Sequence, residues 1–301
     1  MKIAIIGRTH FLLETAKKLL SKGHKITFIY TYRGEKFYEA QEKDFKNFAR
    51  QNKIPFFCDG KINKRYNILK KYNSEIALSM NYINIINKKI ISLFKYGILN
   101  SHPGDLPKYR GNACPNWAIL NFEKKIGLTI HAMTEDLDSG PILIKKYMKI
   151  NLNTYIEDVY SWMELNIPKL FIKSITMIGN KKFKLKKQKG STLRVYPRLK
   201  IDDKINWNLE TKKILALIRS SSRPFQGCYT FLHKEKSVKR VKIRIFKARK
   251  YTAKFKFLAV PGHLCIINNN NPVIATLNGM VEILDCSYKK HLTKSLRNRL
   301  V

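Results

Sequence analysis

The most constraining feature of this sequence is the regular alternation, over its first 150 residues, of short apolar runs with amphipathic stretches. Lys2 to Ile6 is typical of a buried strand, Phe11 to Ser21 carries leucines at helical spacing, and Lys25 to Tyr30 is strand-like again. Further strands are predicted at Ile76 to Ser79 and Gly97 to Asn100. Strands that alternate with helices indicate successive βαβ units. The pattern therefore predicts an α/β fold built on a parallel sheet.

A strand, a glycine turn and a helix could also indicate a nicotinamide dinucleotide site. That site needs three glycines in the turn, and only Gly7 is present. The second strand ends in Tyr30 to Arg33, which offers no carboxylate for a ribose hydroxyl. A nicotinamide cofactor is therefore disfavoured.

The second half of the chain differs from the first in composition. Thr154 to Ile178 is a predicted helix, expected to be kinked or broken at Pro168, and Asn180 to Gly190 is polar and dense in lysine. The β-rich runs that follow are punctuated by proline, glycine and asparagine. We predict an α/β domain, a basic linker and a smaller β-rich domain, covering residues 1–180, 181–200 and 201–301.

The chain carries a formal net charge of +38, from 59 Lys and Arg against 21 Asp and Glu. Such a charge could attract nucleic acid, an anionic membrane surface or phosphorylated metabolites. Abundant Lys, Ile and Asn also fit an AT-rich genome, in which case the excess lysine is spread over solvated faces. The charge alone does not identify the partner.

The sequence contains no run of the roughly 18 to 20 apolar residues that a bilayer-spanning helix needs. Met1 leads directly into the strand-like Lys2 to Ile6, which leaves no room for a leader. We expect a cytoplasmic protein with no membrane partner. The cysteines show neither zinc-site spacing nor a disulfide framework, so we expect reduced thiols and no metal: Cys58, Cys114, Cys228, Cys265 and Cys286.

Polar residues follow the predicted strand that ends in Asn100. Ile98 to Ile119 (ILNSHPGDLPKYRGNACPNWAI) starts in that strand and breaks at Pro103 into a loop. Open parallel sheets bind ligands at the carboxyl ends of their strands. Two positions apart in extended chain, Asn100 and His102 point to the same side and can face one reacting atom.

An acidic turn lies about 35 residues further along. The segment GLTIHAMTEDLDSGPIL contains a predicted strand, Leu128 to Met133, and then Asp136, Leu137 and Asp138. Asp138 can return to the same sheet edge. An amide, an imidazole and a carboxylate on one pocket wall would give an oxyanion donor, a proton shuttle and a carboxylate that orients the imidazole or has a raised pKa.

These residues resemble the formyltransferase superfamily. Its signature is similar to Asn-x-His-Pro here, followed by Leu-Pro, Arg-Gly and a later Leu-Asp-Ser-Gly, which is Leu137 to Gly140. The resemblance implies a Rossmann-like catalytic domain, a formyl group donated by 10-formyltetrahydrofolate, and catalysis by Asn100, His102 and Asp138. It also implies that the donor's pterin lies beside the strand and loop Leu78 to Ile83, and the expected folate contacts are Met80, Asn81, Tyr82 and Leu137.

The carboxyl-terminal part resembles the smaller domain that follows the catalytic one in many of these enzymes. The similar segments are Arg194 to Arg198 (RVYPR), the approach to Trp207 (IDDKINW) and Ser220 to Phe231 (SSSRPFQGCYTF). The resemblance implies an OB-like barrel. It also leaves a homodimer open.

In the implied mechanism a neutral amine attacks the formyl carbon, and the Asn100 amide and protonated His102 stabilise the resulting oxyanion. Asp138 orients His102 and helps to accept the amine's proton. Burial is expected to raise the pKa of Asp138 toward the working pH. No metal is required.

Several neighbouring residues keep two interpretations open. His131 could face the site or be a satisfied sheet residue, and Arg110 could hold its loop or contact an anion. No base is placed near Cys114 by the sequence, so packing is favoured over a nucleophilic role. Asn81 and Tyr82 could line a folate pocket or simply pack at the sheet edge.

Three functions fit these observations. The favoured one formylates the amine of a nucleotide-linked amino deoxysugar, as in surface polysaccharide synthesis, because the loop Gly104 to Pro115 departs from the SLLP-type pattern of methionyl-tRNA formyltransferases. The second is tRNA formylation, with the lysine-rich linker and Val238 to Lys256 as candidate phosphate contacts. The third is a non-catalytic basic RNA-binding protein, against which the intact Asn100, His102 and Asp138 argue.

Overall fold

The computed structural model describes residues 1–35, 37–234, 237–293 and 295–301, and the side chains of 234–239 and of His291 lie outside this description. The described residues form two compact units. The first unit comprises Met1–Cys114, Ile126–Met148 and Tyr160–Tyr196. The second comprises Pro115–Lys125, Lys149–Val159 and Pro197–Val301. The domain boundaries given above stay a prediction, although the predicted linker contributes its residues up to 196 to the first unit.

Strands in the described residues are numbered here in chain order. The strands up to residue 195 are β1 Lys2–Gly7, β2 Lys25–Thr31, β3 Phe56–Cys58, β4 Ile76–Met80, β5 Ile98–His102, β6 Arg110–Gly111, β7 Lys125–Ala132, β8 Ile142–Lys149 and β9 Arg194–Val195. The later strands are β10 Cys228–Lys234, β11 Ser237–Tyr251, β12 Leu264–Asn268, β13 Asn271–Thr276, β14 Gly279–Cys286 and β15 Arg299–Leu300.

Helices are numbered in the same way. They are α1 His10–Ser21, α2 Glu42–Gln51, α3 Tyr66–Lys70, α4 Lys88–Ile91, α5 Cys114–Leu120, α6 Ile156–Gly179, α7 Thr211–Ser221 and α8 Lys289–Leu292, with short 3-10 turns at Ile62–Lys64 and Lys200–Asp203. Leu12, Leu13, Ala16 and Leu19 of α1 are buried, as their spacing predicts.

The main sheet of the first unit has the strand order β3-β2-β1-β4-β5-β7-β8. The pairs β2–β3, β1–β2, β1–β4 and β4–β5 are parallel, whereas β5 pairs antiparallel with β7. Strands such as β1 and β4 are almost wholly buried, because connections between parallel strands place helices over the sheet. The carboxyl ends of β1 to β5 therefore share one edge.

Of the kink or break predicted at Pro168, the break is wrong, and the kink stays a prediction. Proline has no N–H to donate to the carbonyl four residues earlier, yet α6 continues from Ile156 to Gly179. Buried side chains on both sides of the proline, Met163 and Ile167 before it and Phe171 after it, stabilise the continuous helix.

The second unit is built on an antiparallel sheet with the order β12-β13-β14-β11-β10-β15. A bridge between His263 and Arg299 joins its two ends, and the Leu300 N–H donates to the Gly262 carbonyl at 2.8 Å. The sheet thus returns on itself, as a barrel requires. Its interior includes Trp207, whose indole N–H donates to the Thr230 hydroxyl at 3.0 Å.

Both units agree with the predicted fold class. A mixed, mainly parallel sheet with helices forms the first, and a separate antiparallel β-rich sheet forms the second. Among the described helices, none combines the length and apolarity needed to cross a membrane.

Candidate active site

Asn100 and His102 lie at the carboxyl end of β5, between two neighbouring strands. Ser79 of β4 is in register with Asn100 on one side, and His131 of β7 is in register with it on the other. His102 is buried, with 4% of its surface exposed, while Asn100 is partly exposed. The two residues share a face of the strand, as predicted.

Both ring nitrogens of His102 face hydrogen-bond acceptors. Nε2 lies 2.7 Å from the carbonyl oxygen of Tyr109, and Nδ1 lies 3.5 Å from Oδ2 of Asp138. A carbonyl and a carboxylate can only accept, so each contact favours a proton on the facing nitrogen. This geometry stabilises the doubly protonated imidazolium.

The electrostatic surroundings act in the same direction. Burial disfavours the charged ring, but charge on Cys114 and Asp138 and the hydrogen bonds to Cys114 and the Tyr109 carbonyl outweigh it. Together they raise the pKa of His102 to about 9. His102 is therefore positively charged at neutral pH.

The expected rise in the pKa of Asp138 is wrong. Burial does raise it, but the charge of His102, a hydrogen bond from His131 and the Gly111 N–H at 2.9 Å outweigh that effect and lower the pKa to about 2. The backbone of Asp138 is left-handed, with φ of 50°, which a short polar side chain tolerates. Asp138 is thus an ionised carboxylate that faces two histidines.

His131 connects the three predicted catalytic residues. Its Nε2 lies 3.2 Å from the amide nitrogen of Asn100 and 3.6 Å from Oδ1 of Asp138. Its Nδ1 lies 3.0 Å from the Ala132 carbonyl, which only accepts. Of the two interpretations left open by the sequence, the structure places this buried histidine against the site. Asn100, His102 and Asp138 are brought together around it.

Gln188, which sequence reasoning missed, supports the turn that carries Asp138. Its Nε2 donates to the carbonyls of Asp138 and Gly140, both at 2.7 Å. Its Oε1 accepts from the Arg110 guanidinium, whose Nη2 is at 2.7 Å. Gly140 leaves no room for a side chain, since a Cβ would lie 1.8 Å from the Ala132 carbonyl oxygen. Gln188 therefore holds the turn through hydrogen bonds to its backbone carbonyls.

Replacing Gln188 with alanine is expected to lower kcat by about tenfold with little change in thermal stability, because the turn loses two hydrogen bonds and Asp138 becomes less well placed. Steady-state kinetics and a melting curve test this. Lys187→Ala, an exposed neighbour, is the control. Wild-type turnover in Gln188→Ala would contradict the supporting role.

The four predicted folate contacts lie in two places. Met80 is buried at the end of β4, Asn81 is exposed with φ of 56°, and Tyr82 donates from its hydroxyl to the Asp59 carbonyl at 3.2 Å. Leu137 is 38% exposed in the turn before Asp138. Their contact with a folate stays a prediction.

A cavity of about 240 Å³ opens beside the turn that contains Asp136 and Leu137. It is lined by Arg110, Asp136, Leu137, Thr192 and Arg194. The lining carries two positive guanidinium groups, from Arg110 and Arg194, and one carboxylate, from Asp136. Its net charge is therefore positive, which suits an anionic group. Arg110 donates to Gln188 and also lines this cavity, and its contact with an anion stays a prediction.

A separate cluster combines His10, Glu39 and Glu164. His10 Nε2 lies 3.4 Å from Glu39 Oε2 and 3.9 Å from Glu164 Oε1. Both carboxylates are largely exposed. The expectation that no metal takes part stays a prediction.

Family models match most of the chain. The model described as formyl transferase matches residues 1–175, and the model described as formyl transferase, C-terminal domain, matches residues 199–295. Methionyl-tRNA formyltransferase of Thermodesulfovibrio yellowstonii is 33% identical over 292 residues, which cover 94% of this chain and 89% of that protein.

Solved structures show the same fold at lower identity. The sugar 3N-formyl transferase WlaRD, crystallised in the presence of dTDP and 5-N-formyl-THF, matches 96% of this chain and 98% of its own with a TM-score of 0.70 and 20% identity. The N-formyltransferase from Helicobacter canadensis, solved with folinic acid and dTDP-3-aminofucose, matches 95% and 99% with a TM-score of 0.70 and 19% identity.

Proposed function

Because the chain belongs to the formyltransferase family, whose members are folate-dependent enzymes, we propose that it moves a formyl group from 10-formyltetrahydrofolate to the amine of a nucleotide-linked amino deoxysugar. Asn100, His102 and Asp138 are proposed to carry the reaction. The formyl donor supplies the activated carbonyl that the amine attacks.

The site supports this chemistry through the Asn100 amide and the positive charge of His102. As the amine nitrogen bonds to the formyl carbon, the carbonyl oxygen gains negative charge, which the Asn100 amide and the His102 imidazolium can stabilise. The attacking nitrogen loses a proton, and the departing nitrogen of the folate gains one when its bond to the formyl carbon breaks. The Asp138 carboxylate can take up the proton that the attacking nitrogen loses and pass it to His102, and His102 can release one proton to the departing nitrogen.

The observation that carries the acceptor proposal is the cavity beside Asp138. Guanidinium groups bind phosphate oxygens through parallel hydrogen bonds, and Arg110 and Arg194 both line this space. The cavity adjoins the turn that holds the Asp138 carboxylate. A nucleotide diphosphate held here would bring an attached amino sugar toward the catalytic residues. This choice of acceptor is supported by the WlaRD structure, solved in the presence of dTDP, and by the Helicobacter canadensis enzyme, solved in complex with dTDP-3-aminofucose.

The loop Gly104 to Pro115 gives additional support. Asp105 in this loop accepts hydrogen bonds from Lys145 Nζ at 2.8 Å and from the Tyr147 hydroxyl at 2.9 Å. Asp105 thus offsets the positive charge of Lys145 in the neighbouring strand β8, so this lysine contributes little to binding a polyanion such as tRNA.

The second candidate acceptor is methionyl-tRNA. It is favoured by the 33% identity to the Thermodesulfovibrio yellowstonii enzyme and by the basic strand β11, which carries Lys242, Arg244, Lys247 and Arg249. Such a strand could contact several phosphates.

The deciding experiment compares turnover of dTDP-3-aminofucose and of methionyl initiator tRNA across salt concentrations. Formylation of the sugar nucleotide is expected, with shallow salt dependence, because a diphosphate offers few charges, whereas tRNA binding would lose roughly one log unit per log unit of salt for each phosphate contact. Efficient formylation of the tRNA, with no activity on amino sugars, would replace the acceptor proposal and leave the catalytic one standing.

Arg194→Gln is expected to raise KM for the sugar nucleotide about tenfold with kcat little changed, because the cavity loses one of its two guanidinium groups. The exposed Arg50→Gln is the control.

A further inference from the structure

A cysteine lies directly against the proposed catalytic histidine. Cys114, at the start of α5, is 2% exposed, and its Sγ lies 3.5 Å from Nε2 of His102. The same sulfur lies 3.1 Å from the carbonyl oxygen of Tyr109 and 3.4 Å from that of Gly111. The proposed formyl-transfer chemistry assigns this thiol no role.

The distribution of protons decides how the sulfur interacts with the ring. The Tyr109 carbonyl accepts only, so at 2.7 Å it requires a proton on His102 Nε2. That N–H also faces Sγ, which must then offer lone pairs rather than a proton. If Cys114 is a thiol, it donates its proton to the carbonyl of Tyr109 or of Gly111. If it is a thiolate, it forms an ion pair with the imidazolium. In either state the sulfur stabilises a protonated Nε2.

The other groups that face His102 come from the strands and loops around it. Asp138, in the loop after β7, lies 3.5 Å from Nδ1. His131 of β7 packs edge-on, with ring centroids 6.3 Å apart. The ring is therefore held at Nδ1 by a carboxylate and at Nε2 by the Tyr109 carbonyl and Cys114 Sγ.

We propose that Cys114 is a positioning residue for formyl transfer, which together with the Tyr109 carbonyl fixes the imidazole of His102 and favours its protonated form. This inference rests on the proposed catalytic role of His102. Cys114 touches neither substrate in this scheme and acts only through His102.

The test replaces Cys114 with serine and with alanine and uses Cys265→Ser, in the second unit, as the control. Serine keeps a side chain of similar size, a donor for the Tyr109 carbonyl and lone pairs that can accept from Nε2–H, whereas alanine removes all of these. The pKa of His102 is measured by NMR titration of histidine-labelled protein, with His102→Gln used to assign the signal. The pH profile of kcat/KM is recorded on the same samples.

In Cys114→Ala the titration of His102 is expected to move to lower pH by about one unit, because a partner of the charged ring has been removed, whereas Cys114→Ser, whose hydroxyl still accepts from Nε2–H, should keep most of the wild-type titration. The alkaline limb of kcat/KM should move by the same amount, while Cys265→Ser leaves both unchanged. An unchanged His102 titration in folded Cys114→Ala would overturn the proposal. If the titration moves and the alkaline limb does not, the pairing holds and the catalytic role of His102 is what fails.

Discussion

Replacing His102 with alanine is expected to lower formyl transfer by on the order of a hundredfold or more, while the protein remains folded. The variant loses the imidazolium that stabilises the oxyanion and the proton carrier beside Asp138. Asn100→Ala and Asp138→Ala should fall in the same range, since one removes the second oxyanion donor and the other removes the charge that holds His102. Turnover at saturating donor and acceptor, with a melting curve for each variant, provides the measurement.

The protonation of His102 determines how activity should change with pH. His102 acts in the protonated form, and its raised pKa of about 9 keeps that form populated through neutral pH. Wild-type activity should therefore fall as the pH rises through that value. In Asp138→Asn the ring loses its carboxylate partner, so the fall should begin at lower pH.

The exposed His233, in the second unit, supplies the control for histidine removal. His233→Ala should keep wild-type turnover and the wild-type pH profile. Because the three residues act together, the double variant His102→Ala, Asp138→Ala should lose little more than either single variant. Near-native turnover by folded His102→Ala would remove the basis of the mechanism.

Local sequence patterns predict the strands and the placement of Asn100 and His102. Buried parallel strands are near-continuous apolar runs, which makes β1, β2, β4 and β5 readable, and the alternation of an extended chain puts residues 100 and 102 on one face. These properties depend on neighbouring residues only. They can therefore be inferred without knowing the tertiary structure.

The surroundings of the site depend on contacts between distant parts of the chain. Gln188 lies 50 residues from Asp138, in a lysine-rich stretch with no apolar periodicity, so no local signal marks it. The direction of the pKa shift of Asp138 also depends on distant residues. Burial alone would raise this pKa, and the positions of His102, His131 and the Gly111 N–H lower it instead. The contact of His102 with the Tyr109 carbonyl involves a backbone atom, which residue identity does not predict.

Gly104 is the residue whose replacement should most directly displace His102 without altering any catalytic group. A Cβ built on Gly104 would lie 2.3 Å from Nε2 of His102 and 2.4 Å from the Tyr109 carbonyl oxygen. Both distances are far inside van der Waals contact. The imidazole therefore occupies the space that a side chain at this position would need. The φ of Gly104 lies outside the left-handed region, so the cost of adding a methyl group is steric only.

Gly104→Ala is expected to lower kcat by about a hundredfold, because the Tyr109 carbonyl belongs to the backbone and cannot rotate away, and a shift of the ring by about 1 Å is enough to cost that much. The lost contact with Tyr109 should also move the titration of His102 to lower pH, since one stabilising partner of the charged ring is removed. Gly179→Ala is the matched control. It introduces the same methyl group at the end of α6, where the nearest atom is Met1 Sδ at 3.8 Å, and it should leave kcat unchanged. If Gly104→Ala keeps kcat within about twofold of wild type and His102 titrates as before, the ring is not held against the Tyr109 carbonyl during catalysis.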